Sequence, residues 1–410
     1  MAIIVQKYGG TSVADAARIS TVADRVAAAR AGGDDVVVVV SAMGDTTDDL
    51  LALAGEITDV PEPRELDMLL TAGERIAMSL LAIAINARGV RAASYTGSQA
   101  GIITDTQHGK ARIVEIRPQR IRESLEAGNV VIVAGFQGLS TSYDVTTLGR
   151  GGSDTTAVAM AAALGADVCE IWTDVDGVYT ADPRLEPRAR RIDRISSEEM
   201  LELAAAGAKV LQTRSVEYAR RTGVPLHVRS SFTGGPGTWV VEDDGMEQAL
   251  IRGVALDAGE AKVTLDDVPD RPGVAARVFR AVADAGINVD MIVQNVSRDG
   301  ATDLSFTVAR DDLARLEEAL AGIAHEVGAV RSSVDADIAK LSLVGAGMKS
   351  NPGVAADMFD ALAGEGINID MISTSPIRVS CVIRAADAER AVRAVHARFG
   401  LDGGAPKGEP

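Results

Sequence analysis

The chain has 410 residues, more than one hydrophobic core usually serves, so two or three domains are expected. Hydrophobic residues make up 47% and aromatics only 3%, which leaves Ala, Val, Leu and Ile to build the cores. A net charge of -17 opposes binding to nucleic-acid phosphates or an anionic membrane, so neither is an expected partner, and a small anionic substrate would need local positive charge.

To about residue 241, short β-rich runs alternate with Ala-rich stretches, the pattern of a sheet covered by helices on both faces. Strands are predicted at 3–6, 36–40, 130–134, 168–172 and 226–228, and helices at 13–31, 66–87, 111–127, 155–164, 198–205 and 208–218. Ser196 and Glu199 form a capping-box pattern before an apolar helix, while 88–92 and 183–194 read as surface connections. The start, MAIIVQKYGG, lacks a basic stretch followed by an apolar one, and no apolar run approaches a membrane span. Cys169 and Cys381 lie in apolar runs and read as buried thiols in a reducing compartment, so a cytoplasmic location is expected.

Beyond Gly245 an internal repeat begins. RPGVAARVFRAVADAGINVDMI from Arg271 realigns with NPGVAADMFDALAGEGINIDMI from Asn351. The first copy reads as strands at 262–266, 287–296 and 302–309 with helices at 274–285 and 313–327, and a fourth strand at 329–334 completes a ferredoxin-like unit. In the second copy the helix at 386–399 runs into the polar tail GLDGGAPKGEP, which cannot be that strand. An unused run at 249–256 is expected to complete its sheet, so that one unit is nested inside the other. The expected domains are 1–245, 261–335, and 246–260 with 336–400, followed by a flexible tail at 401–410.

Three glycine-rich turns follow predicted strands or precede predicted helices: Lys7-Tyr8-Gly9-Gly10, Ser41-Ala42-Met43-Gly44 and Gly149-Arg150-Gly151-Gly152-Ser153-Asp154. Such turns point backbone N–H groups at an anion and would converge on one edge of a parallel sheet. Ser153 or Asp154 would cap the helix after the third turn, and Arg150 offers a planar fork suited to a carboxylate. Only seven lysines stand among 41 basic residues, so Lys7 and Lys209 are conspicuous, and both are read as converging on a transferring phosphoryl group. Taken singly, each feature has an ordinary alternative. A strand-Gly-Gly-helix turn is common, Lys209 could merely begin a helix, Glu74 could be a solvated helix residue, and Asp174 and Asp176 could cap a turn. As a site residue, Glu74 would bind an ammonium group. GAGMKS at 345–350 lacks the glycine that a P-loop needs before its lysine, and the four histidines have no metal-ligand spacing and read as incidental.

KYGGTSV, VSAMGDTTD, TAGER, GRGGSDTTA, WTDVDGVYTADPR and GAKVLQTRSVEYA together resemble the aspartate kinases of the amino-acid kinase superfamily, in their bacterial monofunctional form. The PGVAA and GIN(V/I)DMI segments of the repeat resemble ACT domains. The resemblance implies an α/β fold, an amino-acid-kinase-type three-layer sheet with helices on both faces, plus two ferredoxin-like ACT α+β units. It implies ATP-dependent phosphorylation of L-aspartate to 4-phospho-L-aspartate, the first step towards lysine, threonine, methionine and diaminopimelate, with Mg2+ bridging the nucleotide phosphates and no dense protein ligand shell. Carried onto matching positions, the catalytic residues are Lys7, Lys209 and Asp174. ATP would be met by Lys7, Tyr8, Gly9, Gly10, Ser41, Thr173, Asp174, Tyr179, Thr180, Asp182, Arg184 and Lys209. Aspartate would be held by Thr47, Glu74, Arg150, Gly151, Gly152, Ser153 and Asp154.

The ACT resemblance implies feedback by lysine, threonine or both. The pockets would lie around Asp270, Gly273, Val274, Ala275, Asn288, Val289, Asp290 and Gln294, and in the second copy around Met348, Asn351, Asn368, Ile369 and Asp370. It also implies a homo-oligomer joined through the ACT units. Internal initiation at Met246 would add a regulatory chain and give an α2β2 assembly. Two other readings stand beside this one. An amino-acid kinase for another acid, N-acetylglutamate or glutamate, is opposed by Glu74 and the tandem ACT units, and a catalytically silent amino-acid sensor is opposed by intact Lys7, Arg150, Asp174 and Lys209. Tyr8 and Trp172 are aromatic residues beside otherwise intact motifs and leave the adenine-pocket geometry open.

Overall fold

A computed structural model describes residues 2–242, 251–294, 300–346, 348 and 351–403. The internal start at Met246, the beginning of the run at 249–256, half of GAGMKS and the end of the tail lie outside the described residues. Chain contacts define two compact units, the first Met1–Val178, Arg191–Ala204 and Lys209–Met246, the second Tyr179–Arg190, Ala205–Ala208 and Glu247–Pro410.

In the first unit the strands are β1 (Ile3–Tyr8), β2 (Asp35–Val40), β3 (Ala92–Tyr95), β4 (Ile102–Thr104), β5 (Ile113–Ile116), β6 (Val130–Ala134), β7 (Gln137–Ser140), β8 (Val145–Thr147), β9 (Val168–Thr173), β10 (Arg194–Ser196), β11 (Leu226–Ser230) and β12 (Thr238–Val241). The helices are α1 (Ala16–Ala31), α2 (Thr46–Gly55), α3 (Pro63–Leu70), α4 (Ala72–Asn86), α5 (Gln119–Glu126), α6 (Gly152–Leu164), α7 (Ser197–Ala205) and α8 (Thr213–Thr222). An eight-stranded sheet runs β10-β12-β11-β9-β1-β2-β6-β3, and its six strands from β11 to β3 are mutually parallel. The valine runs of β2 and β6 are buried along both faces, as a sheet covered on two sides demands.

On one face α1 and α4 contribute Ile19, Val22, Val26, Ala77, Leu81 and Ile85 to a single core, at spacings that keep them on one side of each helix. The α6 helix is buried nearly all round, and its alanines let it fit between β1 and α8. Ser196 and Glu199 make the reciprocal capping box ahead of α7.

Several predicted elements are corrected. The stretch predicted as one helix over 111–127 is β5 followed by α5, because Ile113, Val114 and Ile116 favour extended pairing and Pro118 then sets the helix entry. Its strand joins a second sheet, β5-β4-β7-β8, that periodicity did not reveal. The helix predicted at 66–87 begins earlier, at Pro63, and is interrupted at Thr71. By length and composition alone Pro63–Asn86 could cross a membrane, with mean hydropathy 1.7, which corrects the expectation that no run approached that length; 44% of this window is buried.

In the second unit the strands are β13 (Gly253–Asp257), β14 (Glu260–Pro269), β15 (Val289–Gln294), β16 (Ala301–Ala309), β17 (Arg331–Asp335), β18 (Ile338–Val344), β19 (Met371–Ser375) and β20 (Arg378–Arg384). The helices are α9 (Val274–Asp284), α10 (Leu313–Val327), α11 (Val354–Gly364) and α12 (Ala388–Arg398). Two four-stranded sheets form, β15-β16-β14-β17 and β13-β18-β20-β19. The outer strand of the first, β17, follows its unit in the chain, whereas the outer strand of the second, β13, precedes both units; each pairs antiparallel with its neighbour. Either order satisfies the edge hydrogen bonds, since pairing depends on reach and not on sequence position.

The repeat also appears as crossed ion pairs. Asp290 in the first copy meets Lys340 in the second at 2.5 Å, and its repeat equivalent Asp370 meets Lys262 at 3.1 Å. Lys340 is 1% exposed and also pairs with Glu260. Lys340→Ala would strand the Glu260 carboxylate in the interior, so a loss of about 3–5 kcal/mol in unfolding free energy is expected by urea denaturation.

The segment 183–194 was expected to be a surface connection; as far as Arg190, and with 179–182 ahead of it, it is instead part of this unit. Ala181 belongs to the core around β18 and α12, with Leu185 and Ala189 packed against it. The N–H of Val254 donates to the Thr180 carbonyl at 2.8 Å. His396 is buried and its Nε2 lies 2.9 Å from the Thr180 hydroxyl, so this histidine is a packing residue with a defined partner and not incidental.

Candidate active site

Parallel pairing aligns Tyr8 with both Val40 and Trp172, and Val40 with Ala134. The chain therefore leaves β1, β2, β6 and β9 side by side on one sheet edge, where Gly9, Ser41, Gly135 and Asp174 begin their loops. The Ser41 N–H donates to the Tyr8 carbonyl at 3.0 Å and the Gly44 N–H to the Gly10 carbonyl at 3.1 Å, which ties the first two turns together. A Cβ on Gly10 would stand 3.0 Å from the carbonyl oxygens of both Ala42 and Gly44, so this approach requires glycine.

Lys7, next to last in β1, reaches Asp154 at 2.6 Å, and both side chains are largely buried. Asp154 lies in the first turn of α6, where the helix dipole favours a carboxylate. The expectation that Ser153 or Asp154 caps this helix is corrected: Gly151, at φ 70°, is the N-cap, and both residues fall inside the first turn. Asp154 is thus engaged by Lys7. Ser153 and Gly152 are buried beside it.

Glu74 sits in the first turn of α4 and is 3% exposed. Its Oε1 accepts from the Ala42 N–H at 3.1 Å, whereas its buried Oε2 has no hydrogen-bond partner among the described residues. Burial pushes its pKa up to about 7, against the pull of backbone hydrogen bonds. A buried acid with one unsatisfied oxygen beside a substrate edge is suited to an incoming ammonium group. Thr47, half-buried in the first turn of α2, follows the same loop.

Arg150 and Lys209 are exposed and make no ion pair among the described residues. Lys209 was read at a helix start; it lies instead in the turn between α7 and α8, four residues before Thr213. Asp174 is also exposed and accepts from the Thr173 hydroxyl at 3.1 Å.

The Tyr8 ring is fully buried and stacks on Trp172 with centroids 5.9 Å apart, and its hydroxyl donates to Gln6 at 3.2 Å. Trp172 is flanked by the guanidinium groups of Arg25 and Arg229, at 4.0 and 4.5 Å, and donates to Glu170 at 3.0 Å. These two aromatics therefore underpin the edge. Tyr179, Thr180, Asp182 and Arg184 belong to the second unit; Thr180 is bound to His396, and Asp182 pairs with Arg184 at 2.7 Å.

Sequence reasoning missed a buried clamp. Asp67 of α3 accepts from the Thr147 hydroxyl at 2.5 Å and from the Gly109 N–H at 3.2 Å, and lies 2.7 Å from His108 Nδ1. His108 thus has a structural role. An acid inside the apolar pattern ELDMLL was the available signal.

In the second unit Asp270, Gly273, Val274, Ala275 and Gln294 line a cavity of about 360 Å³ together with Arg271 and Thr302. Asn288, Val289 and Asp290 do not line it, and Asp290 is taken up by Lys340. In the second copy Met348 packs against the core, and Asn368 and Ile369 lead into β19 beside Asp370, which is bound to Lys262. Asn351 lies two residues before Gly353, the N-cap of α11.

The amino acid kinase family model matches residues 2–230, and ACT domain models match 262–325 and 341–399. An aspartokinase of Mycolicibacterium smegmatis is 59% identical over 409 residues, covering 98% of this chain and 97% of that protein. Among solved structures, E. coli aspartokinase III with aspartate and ADP (R-state) superposes with a TM-score of 0.82 at 29% identity, covering 96% of this chain and 99% of that one. The same enzyme with lysine and aspartate (T-state) gives a TM-score of 0.74 at 29% identity, covering 97% and 99%.

Proposed function

The chain belongs to the amino acid kinase family and is an aspartate kinase, and from that premise we propose how its residues divide the work. The observation that carries the reading is the unpaired Oε2 of Glu74, whose other oxygen accepts from the Ala42 N–H, at the strand edge from which Lys7 projects. An ammonium group would satisfy the first, and a phosphoryl group would engage the second. Arg150 would take the α-carboxylate, with Thr47, Ser153 and the N–H groups of Gly151 and Gly152 completing the aspartate site.

The substrate side-chain carboxylate is already a nucleophile, so the step needs no general base. One carboxylate oxygen bonds to the γ-phosphorus of ATP as the bond to the bridging oxygen breaks, giving 4-phospho-L-aspartate and ADP. The difficulty is bringing two anions together, and Lys7, Lys209 and the amides of Gly9, Gly10 and Ser41 offset it. Among the described residues no three His, Cys, Asp or Glu cluster, so Mg2+ fits as an ion carried on the nucleotide phosphates, with the exposed Asp174 as its protein contact. It would neutralise phosphate charge there.

The regulatory reading is feedback by lysine, threonine or both, at the cavity beside Asp270 and its second-copy counterpart. We take the domains as 1–245, a nested ACT unit at 261–335, and a split one at 246–260 with 336–400. Assembly through the ACT units, with a second chain starting at Met246, completes the proposal, as do a cytoplasmic location and the first step towards lysine, threonine, methionine and diaminopimelate.

Trapping the acyl phosphate with hydroxylamine tests this. Hydroxamate is expected with ATP and aspartate but not with glutamate or N-acetylglutamate, and less of it when lysine and threonine are added singly or together. No product from aspartate would overturn the catalytic assignment. Rates unchanged by both amino acids would remove the regulatory one.

A further inference from the structure

We propose that Arg214 is a positioning residue for phosphoryl transfer, locking the turn that carries Arg150 to the turn that carries Lys209. The inference rests on the roles given above to those two cations. Arg214 is the second residue of α8, five positions after Lys209. Its NH1 donates to the Leu148 carbonyl at 3.0 Å and its NH2 to the Ala111 carbonyl at 2.9 Å. Leu148 stands two residues before Arg150. On the other side of Arg150, Gly151 lies against Gln212, so closely that a Cβ there would be 2.1 Å from Gln212 Cγ. The entry to α8 is therefore fastened to the chain both before and after Arg150.

The far side of this junction is fixed independently. The Ala111 N–H donates to the Thr147 carbonyl at 2.9 Å, and Asp67 holds Thr147 and Gly109. The two loop segments that Arg214 grips thus cannot drift together with it; they are anchored to α3. Arg214 is half-buried and makes no ion pair with a carboxylate among the described residues. Burial, and after it the charge of Arg112, hold its pKa below the ordinary arginine value. A guanidinium kept there for two neutral carbonyls is used for its shape: a planar fork spans two acceptors at fixed separation, which the single ammonium of lysine does not.

Since the reaction needs the acceptor carboxylate and the phosphoryl group in line, a shift of about 1 Å between the two turns costs roughly 100-fold. The test uses the full chain with Arg214→Lys and Arg214→Gln. Each is expected to lower kcat by about 100-fold and to raise KM for aspartate, with KM for ATP little changed. Faster hydrogen exchange of the amides at 148–152 should accompany the loss. Because Arg214→Gln risks misfolding, Gln212→Ala reads the same lock from its other contact and should change the same parameters in the same direction. Variants with a lowered Tm but with parental kcat and aspartate KM would reduce Arg214 to a structural staple and overturn the proposal. Retention of full activity by Arg214→Lys would show that charge alone suffices, and would overturn it too. A parent that does not phosphorylate aspartate in this assay sinks the functional assignment itself, and so is distinct from both.

Discussion

Lys7→Ala is expected to lower kcat by roughly 10²–10³-fold while leaving KM for aspartate nearly unchanged, because the ammonium is assigned to the migrating phosphoryl group and not to the amino-acid substrate. The pairing with Asp154 at 2.6 Å complicates the measurement. Removing the lysine leaves a largely buried carboxylate without its partner, so part of any loss could come from instability. The first turn of α6 offsets some of that cost through its backbone dipole. The double variant Lys7→Ala with Asp154→Asn separates the two effects: it should recover the Tm but not the turnover. Normal steady-state turnover in Lys7→Ala would remove this residue from the catalytic step.

Glu74→Gln should raise KM for aspartate by on the order of 100-fold or more, since a buried ammonium would face an amide in place of a carboxylate. The native enzyme should show the same dependence through pH. With a pKa near 7 in the free protein, Glu74 is increasingly protonated below neutrality, and an aspartate ammonium favours its ionised form. Binding should therefore release a proton, and KM for aspartate should rise as pH falls below about 7. Isothermal titration in buffers of different ionisation enthalpy would detect that proton; its absence would mean that Glu74 does not meet the ammonium.

Stability carries the opposite sign. Between the ordinary carboxyl value of 4.5 and about 7, the folded state holds a proton that the unfolded chain has released, so rising pH lowers stability across this window, by on the order of 3 kcal/mol in total. Glu74→Gln should lose that slope. Thermal melts at pH 5 and pH 8 that change by the same amount in both proteins would contradict the burial argument.

How much of this was legible follows from the range of each interaction. The valine runs of β2 and β6, the repeat at Arg271 and Asn351 and the glycine turns at the strand ends are local patterns, and burial on two faces or a tight turn leaves a direct trace in neighbouring residues. The small sheet around β4 and β7 left almost none, since its strands are three or four residues long and do not alternate clearly. Tyr8 shows the limit most plainly. Its place beside Gly9 and Gly10 suggested a ligand contact, yet strand geometry turns its side chain to the face opposite its neighbours' and into the core against Trp172.

By itself the amino-acid order determined the chemistry available: which turns can cradle an anion, which side chains carry charge, and that two related units follow the first domain. Tertiary structure alone decided the partners, placing Asp154 on Lys7, leaving one Glu74 oxygen unpaired, and binding Thr180 to His396 and Arg214 to the carbonyls of Ala111 and Leu148. Residues far apart in the chain meet only after burial has excluded water. The strength of each such contact is set by that exclusion and by reach, neither of which any short window of sequence records.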